Sequence, residues 1–115
     1  MSRELNFNSY EEQALVLQND INNKKEKIIY AGLGLSGEAG ELTDYIKKVM
    51  YHGHKLEKEK VIAELGDILW FVTYTASLFD SSLLEVAGSN LKKIYDRYPN
   101  GWDKEKSINR KEDWV

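Results

Sequence analysis

The chain has 115 residues, enough for one compact domain, and 30% of them are charged. A mean hydropathy of −0.55, a net charge of −3 and a pI near 5.4 describe a soluble globular protein, neither disordered nor membrane-spanning, with no basic footprint for duplex nucleic acid. With no cysteine, a disulfide scaffold and a thiolate zinc site are both excluded.

The opening stretch Met1 to Leu5 lacks an apolar signal core, and no apolar run reaches membrane-spanning length, so the expected location is cytoplasmic. Ser9 followed by Glu12 has capping-box spacing and predicts a first helix over 9–23. A polar link from Asn22 to Lys25 leads into a second helix over 27–51, closed by His52-Gly53-His54 with Gly53 suited to a left-handed position. A third helix is expected over 57–79. Asp80-Ser81-Ser82 with Glu85 gives another capping signal, and a fourth helix over 82–98 meets its stop at Pro99-Asn100-Gly101. The remainder, 99–115, is a polar tail with Trp102 and Trp114 as its large anchors. No strand pattern or repeat intervenes. Residues 1–115 therefore read as a single all-α domain, an antiparallel four-helix bundle-like fold whose small core is completed by pairing with another copy.

The second helix carries an acid where its core should be. Turning about 100° per residue, Ala31, Leu35, Leu42, Tyr45 and Val49 fall close around Glu38, and Glu41 borders the same stripe. A lone buried carboxylate costs several kcal/mol, so it needs a cation, a donor or a proton. The third helix repeats the arrangement: Val61, Leu65, Ile68, Leu69, Val72, Ala76 and Phe79 form its stripe, and Glu64 and Asp67 flank one edge. Two such pairs on consecutive antiparallel helices can aim four carboxylates at one point, a hard oxygen set suited to Mg²⁺ or Mn²⁺ rather than zinc. Buried pairing with Lys or Arg is the rival explanation.

Gly34, Gly37 and Gly40 recur every three residues around the first acidic pair, which calls for close approach of a helix or of a ligand. Phe71 and Tyr74 continue the edge that carries Glu64 and Asp67, with Trp70 slightly further round, and a nucleobase could stack there, although such aromatics in a buried helix are more often core. Asn90, Lys93 and Arg97 form a stripe on the fourth helix beside the apolar row Leu84, Ala87, Leu91 and Ile94. His52 and His54 lack a further histidine to complete a metal site and read as loop residues or minor phosphate contacts. A di-iron bundle is set aside because it wants Glu-x-x-His pairs.

The run Gly34-Leu35-Ser36-Gly37-Glu38-Ala39-Gly40-Glu41-Leu42, followed by Glu64-Leu65-Gly66-Asp67-Ile68-Leu69-Trp70, resembles the MazG-like all-α nucleoside triphosphate pyrophosphohydrolases, whose signature is Glu-x-x-Glu, a gap, then Glu-x-x-Asp. Asn90 to Pro99 is similar to the family's closing helix, and the likeness extends from about Tyr10 to Trp102. The resemblance implies Mg²⁺-dependent cleavage of a nucleotide between its α- and β-phosphates. It implies Glu38, Glu41, Glu64 and Asp67 as metal ligands, with Glu41 our choice for activating water. It further implies Lys93 and Arg97 on phosphates and Asn90 on sugar or phosphate, in a homodimer or homotetramer. A dUTPase-like or phosphoribosyl-ATP pyrophosphohydrolase shares the same acids. A non-catalytic helical partner module with a structural cation is the reading from another class.

Overall fold

The structure, a computed structural model, describes residues 4–110; the anchoring role expected of Trp114 lies outside the described residues. Its helices are α1 (Phe7–Ala14), continued by a 3₁₀ turn (Leu15–Leu17), α2 (Lys24–Tyr51), α3 (Lys58–Leu78), α4 (Leu83–Arg97) and α5 (Lys104–Ile108). No strand occurs among the described residues, and the fold is all-α. The chain divides between Leu83 and Leu84 into two compact units.

The first unit opens differently from expectation. Asn6, not Ser9, is the N-cap: its side chain accepts from the Ser9 N–H, while the Ser9 hydroxyl accepts from the Asn6 N–H, both at 2.9 Å. Ser9 is thus the inner partner of the capping box, which moves the helix start two residues earlier. The helix also ends sooner than 23, because Gln18 turns extended and its side-chain amide donates to the Leu15 carbonyl. Asn23 then caps α2 by accepting from the Glu26 N–H at 3.2 Å. At the far end Gly53 takes a φ of 76°, as predicted, and the His54 N–H returns to the Lys48 carbonyl at 3.2 Å.

Helices α2 and α3 form an antiparallel hairpin. Tyr45 locks its closed end: the buried phenol donates to the Lys55 carbonyl at 2.8 Å and accepts from the Glu57 N–H at 2.9 Å. Between the helices Gly34 lies against the Phe71 ring, Tyr30 meets Phe71 and Tyr74, Glu38 and Glu41 converge with Glu64, and Lys60 stands over Tyr45. Ala31, Phe71, Tyr74 and Leu78 make the buried core, with Leu15, Ile28, Leu35 and Trp70 packed around it. The sequence stripe on α3 is therefore displaced. Leu65, Leu69 and Phe79, assigned to the core, are 49%, 36% and 62% exposed, whereas Phe71 and Tyr74 face α2. The helix is apolar almost all round, so periodicity alone could not choose its inner face. By length and composition α3 would also suffice to cross a membrane, contrary to the sequence expectation, although Glu64 and Asp67 lie within it.

The three glycines resolve into two kinds. A Cβ on Gly34 would overlap the Phe71 ring, whereas one on Gly37 or Gly40 would meet nothing within 4 Å. Gly34→Ala is accordingly expected to destabilise the fold by about 1–3 kcal/mol. Gly37→Ala should instead stabilise it by up to about 1 kcal/mol through helix propensity. Thermal melts of the two variants distinguish these outcomes.

In the second unit α4 ends before Pro99, and Gly101 takes a φ of 94°. The tail is not wholly irregular: Asp103 accepts from the Glu105 and Lys106 N–H groups at 2.8 and 3.3 Å and starts α5. Trp102 is 72% exposed and does not act as the expected anchor.

Candidate metal centre

One layer of the α2–α3 seam is built from acids where apolar side chains would otherwise sit. Glu38 and Glu41 come from α2 and Glu64 from α3, and each offers a carboxylate oxygen within 4.8 Å of those of the other two. Glu38 and Glu64 are half-buried, and Glu41 is exposed. The expectation that Glu38 alone lies deep is corrected: one oxygen (Oε2) of each half-buried acid is sealed from solvent and has no hydrogen-bond partner. The rival explanation, burial of these acids against Lys or Arg, finds no ion pair to Glu38, Glu41 or Glu64 among the described contacts.

Such an arrangement resists full ionisation. Burial, followed by the negative charges of Glu41, Asp67 and Glu64, raises the Glu38 pKa above its ordinary value, and a hydrogen bond with Glu41 reinforces the shift. Glu64 shifts the same way, first through burial, then through Glu41 and Asp67, with Lys60 opposing. Asp67 is exposed and does not belong to the close trio, yet its charge reaches Glu38, Glu64 and Tyr10. Three converging carboxylates with two orphaned oxygens are a hard-oxygen set that a divalent cation would satisfy; the residues fit such an ion.

The aromatic platform does not survive in its expected form. Tyr74 is 1% exposed, inside the core, with its ring stacked on Trp70 at a centroid distance of 5.1 Å. Trp70 donates its indole N–H to the Ala14 carbonyl at 3.1 Å, satisfying an orphan group at the end of α1. Both rings hold helices together, and Tyr74 has no surface to offer a base. Asn90, Lys93 and Arg97 lie on α4, in the second unit, with Asn90 and Lys93 exposed and Arg97 half-buried.

Two features escaped the sequence. Tyr10, on α1, lies near enough to Asp67 that the aspartate charge, after burial, raises the phenol pKa. Its spacing from any motif carries no signal, since the proximity arises only once α1 has docked. A cleft of about 420 Å³ also opens beside the acids, lined by Gly37, Gly40, Glu41, Lys48, His54, Lys60 and Glu64 among others.

The profile of the MazG nucleotide pyrophosphohydrolase domain matches residues 30–102, which include all four acids. The chain belongs to the MazG family. It is also similar to the Gene 37 protein of Mycobacterium phage L5, at 34% identity over 80 residues, covering 66% of this chain and 70% of that relative. No solved structure gives a significant match. Family membership places this MazG domain among the nucleotide pyrophosphohydrolases, hydrolases that typically bind a divalent metal. Helix α1 and the chain as far as residue 29 lie outside the matched segment, so Tyr10 is a feature of this chain's own fold rather than of the matched region.

Proposed function

We propose that this MazG domain hydrolyses a nucleoside triphosphate, standard or modified, to the monophosphate and pyrophosphate, using Mg²⁺ held by Glu38, Glu41, Glu64 and Asp67. The observation that carries the proposal is the pair of sealed, unpartnered oxygens on Glu38 and Glu64 within a trio of converging carboxylates. Mn²⁺ suits the same donors.

When bound, the cation offsets phosphate charge and lowers the pKa of water at the site. In this reading Glu41, the exposed member of the trio, orients the attacking water and takes its proton. The water oxygen bonds to the α-phosphorus as the bond from that phosphorus to the bridging oxygen breaks, and pyrophosphate departs. In this reading Lys93 and Arg97 hold phosphate oxygens and Asn90 contacts sugar or phosphate. Tyr74 is withdrawn from the substrate site because its ring is buried in the core, whereas half-buried Trp70 stays in the proposal as a contact for the base. A homodimer or homotetramer belongs to the same proposal, supported by the exposure of Leu65, Leu69, Leu84 and Leu91.

A panel of ribo- and deoxynucleoside triphosphates, with dUTP and phosphoribosyl-ATP included, tests the proposal when pyrophosphate and orthophosphate are followed separately. Pyrophosphate without orthophosphate, dependent on Mg²⁺, is the expected product pattern. Turnover of dUTP or phosphoribosyl-ATP alone selects the narrower specificity. No turnover of any nucleotide contradicts the proposal and favours a helical module with a structural cation.

A further inference from the structure

The cleft beside the acids holds groups that the cation site does not use. Along α2, Lys48 lies seven residues past Glu41, roughly 10 Å toward the α2–α3 loop. Along α3, Lys60 lies about one turn before Glu64 in the same direction, and His54 enters from the loop itself. The cleft thus has Glu41 and Glu64 at one end and Lys48, Lys60 and His54 toward the other, with Asp44 also in its wall beside Lys48. Its volume, about 420 Å³, is within the range of small-molecule sites. Part of its wall is Gly37 and Gly40, where a Cβ would project into open space.

Two of the basic groups, both open to solvent, have partners in the cleft wall. The Lys60 ammonium stands 5.0 Å from the centroid of the Tyr45 ring, and Tyr45 is itself fixed by two hydrogen bonds to the loop. The Lys60 charge is also felt by Glu64. Lys48 pairs with Asp44 at 3.0 Å, but Asp44 is shared with Lys47 at 2.9 Å, so two lysines meet one carboxylate and positive charge remains. A polyphosphate drawn to cations among three carboxylates needs positive charge along the rest of its length. Lys48 and Lys60 supply it.

We infer that the cleft receives the terminal phosphates of the substrate, the part that leaves as pyrophosphate, with Lys60 and Lys48 as its principal contacts and His54 closing the loop side. The inference rests on the nucleotide-hydrolysis reading and adds a direction to it. The polyphosphate points toward the α2–α3 loop, and the nucleoside lies at the opposite end of the acidic layer. Lysine serves here as a point charge on phosphate oxygens, and loss of one charged hydrogen bond costs roughly ten- to a hundredfold in binding.

The test uses the full chain at constant free Mg²⁺, with Lys48→Met, Lys60→Met and the double variant; methionine keeps the apolar stem over Tyr45. Each is compared with wild type for KM of the best nucleotide and for inhibition by pyrophosphate and by the nucleoside monophosphate. The expected result is a weakening of KM and pyrophosphate inhibition by about ten- to a hundredfold per lysine, with monophosphate inhibition and melting temperature unchanged. Lys60→Arg should restore most of the loss. Unchanged pyrophosphate inhibition in the double variant overturns the inference while leaving the hydrolase intact, and so does equal weakening of pyrophosphate and monophosphate. Should Lys60→Met loosen the fold, Lys48→Met alone decides by the same readouts. A wild type that turns over no nucleotide instead sinks the functional reading itself, and is recognised before any variant is made.

Discussion

Glu38→Gln and Asp67→Asn are each expected to abolish Mg²⁺-dependent pyrophosphate release while leaving the helices folded. Groups that merely support a metal ligand typically cost 10–100-fold when removed, so loss of a ligand should cost at least about a hundredfold. Gln preserves the shape of Glu38 in the seam but loses the charge that a cation requires, and Asn does the same for Asp67. Circular dichroism establishes that each variant is folded, and a pyrophosphate assay measures the loss. Retention of activity in both variants would sink the assignment of these acids. Loss in Glu38→Gln alone would confine the centre to the trio of Glu38, Glu41 and Glu64.

The same substitution should have the opposite effect on cation-free stability. Glu38 and Glu64 titrate above their ordinary value of 4.5 in the folded chain, chiefly through burial and then through neighbouring acids. Between 4.5 and those raised values the folded state binds more protons than the unfolded one, so stability falls as pH rises through them. The contribution is fully present below 4.5 and is lost above the raised pKa. Asp44 acts in the other sense, its pKa lowered to about 2 by hydrogen bonds from Lys47 and Lys48, but it is fully ionised throughout pH 5 to 8 and leaves that window undisturbed. Cation-free wild type is therefore expected to lose melting temperature as the pH rises from 4.5 through the raised values. Glu38→Gln should melt higher than wild type at pH 8 and vary less with pH. A variant that is inactive and more stable is the mark of a functional site held against the preference of the fold. Equal or lower stability of Glu38→Gln at pH 8 would show that the glutamate charge is accommodated without a cation.

Legibility in the sequence followed how local each determinant is. The long helices were readable because Asn23, Gly53 and Pro99 punctuate them, and the acids stood out because Glu38 interrupts an apolar stripe. The inner face of α3 was not readable. Leu65 and Leu69 are as apolar as Phe71 and Tyr74, and only the partner helix decides which pair is covered. That choice also decides that Glu64, two turns before Phe71 on the same helix, is half-buried like Glu38. The start of α1 was misplaced because Asn6 and Ser9 cap each other reciprocally, and either can serve as N-cap by residue type alone. Tyr10 beside Asp67, and Lys48 beside Lys60, are products of docking and leave no spacing to find.

The most direct measurement of the central claim is Mg²⁺ binding to wild type and Glu38→Gln, by calorimetry and by melting at pH 8. Wild type should bind the ion and gain roughly 2.7 kcal/mol at a hundredfold excess over Kd. That corresponds to a rise in Tm on the order of 10 °C. Glu38→Gln should show neither the heat nor the shift. An identical Mg²⁺ response in the two proteins, or none in wild type, would contradict a metal centre at these carboxylates.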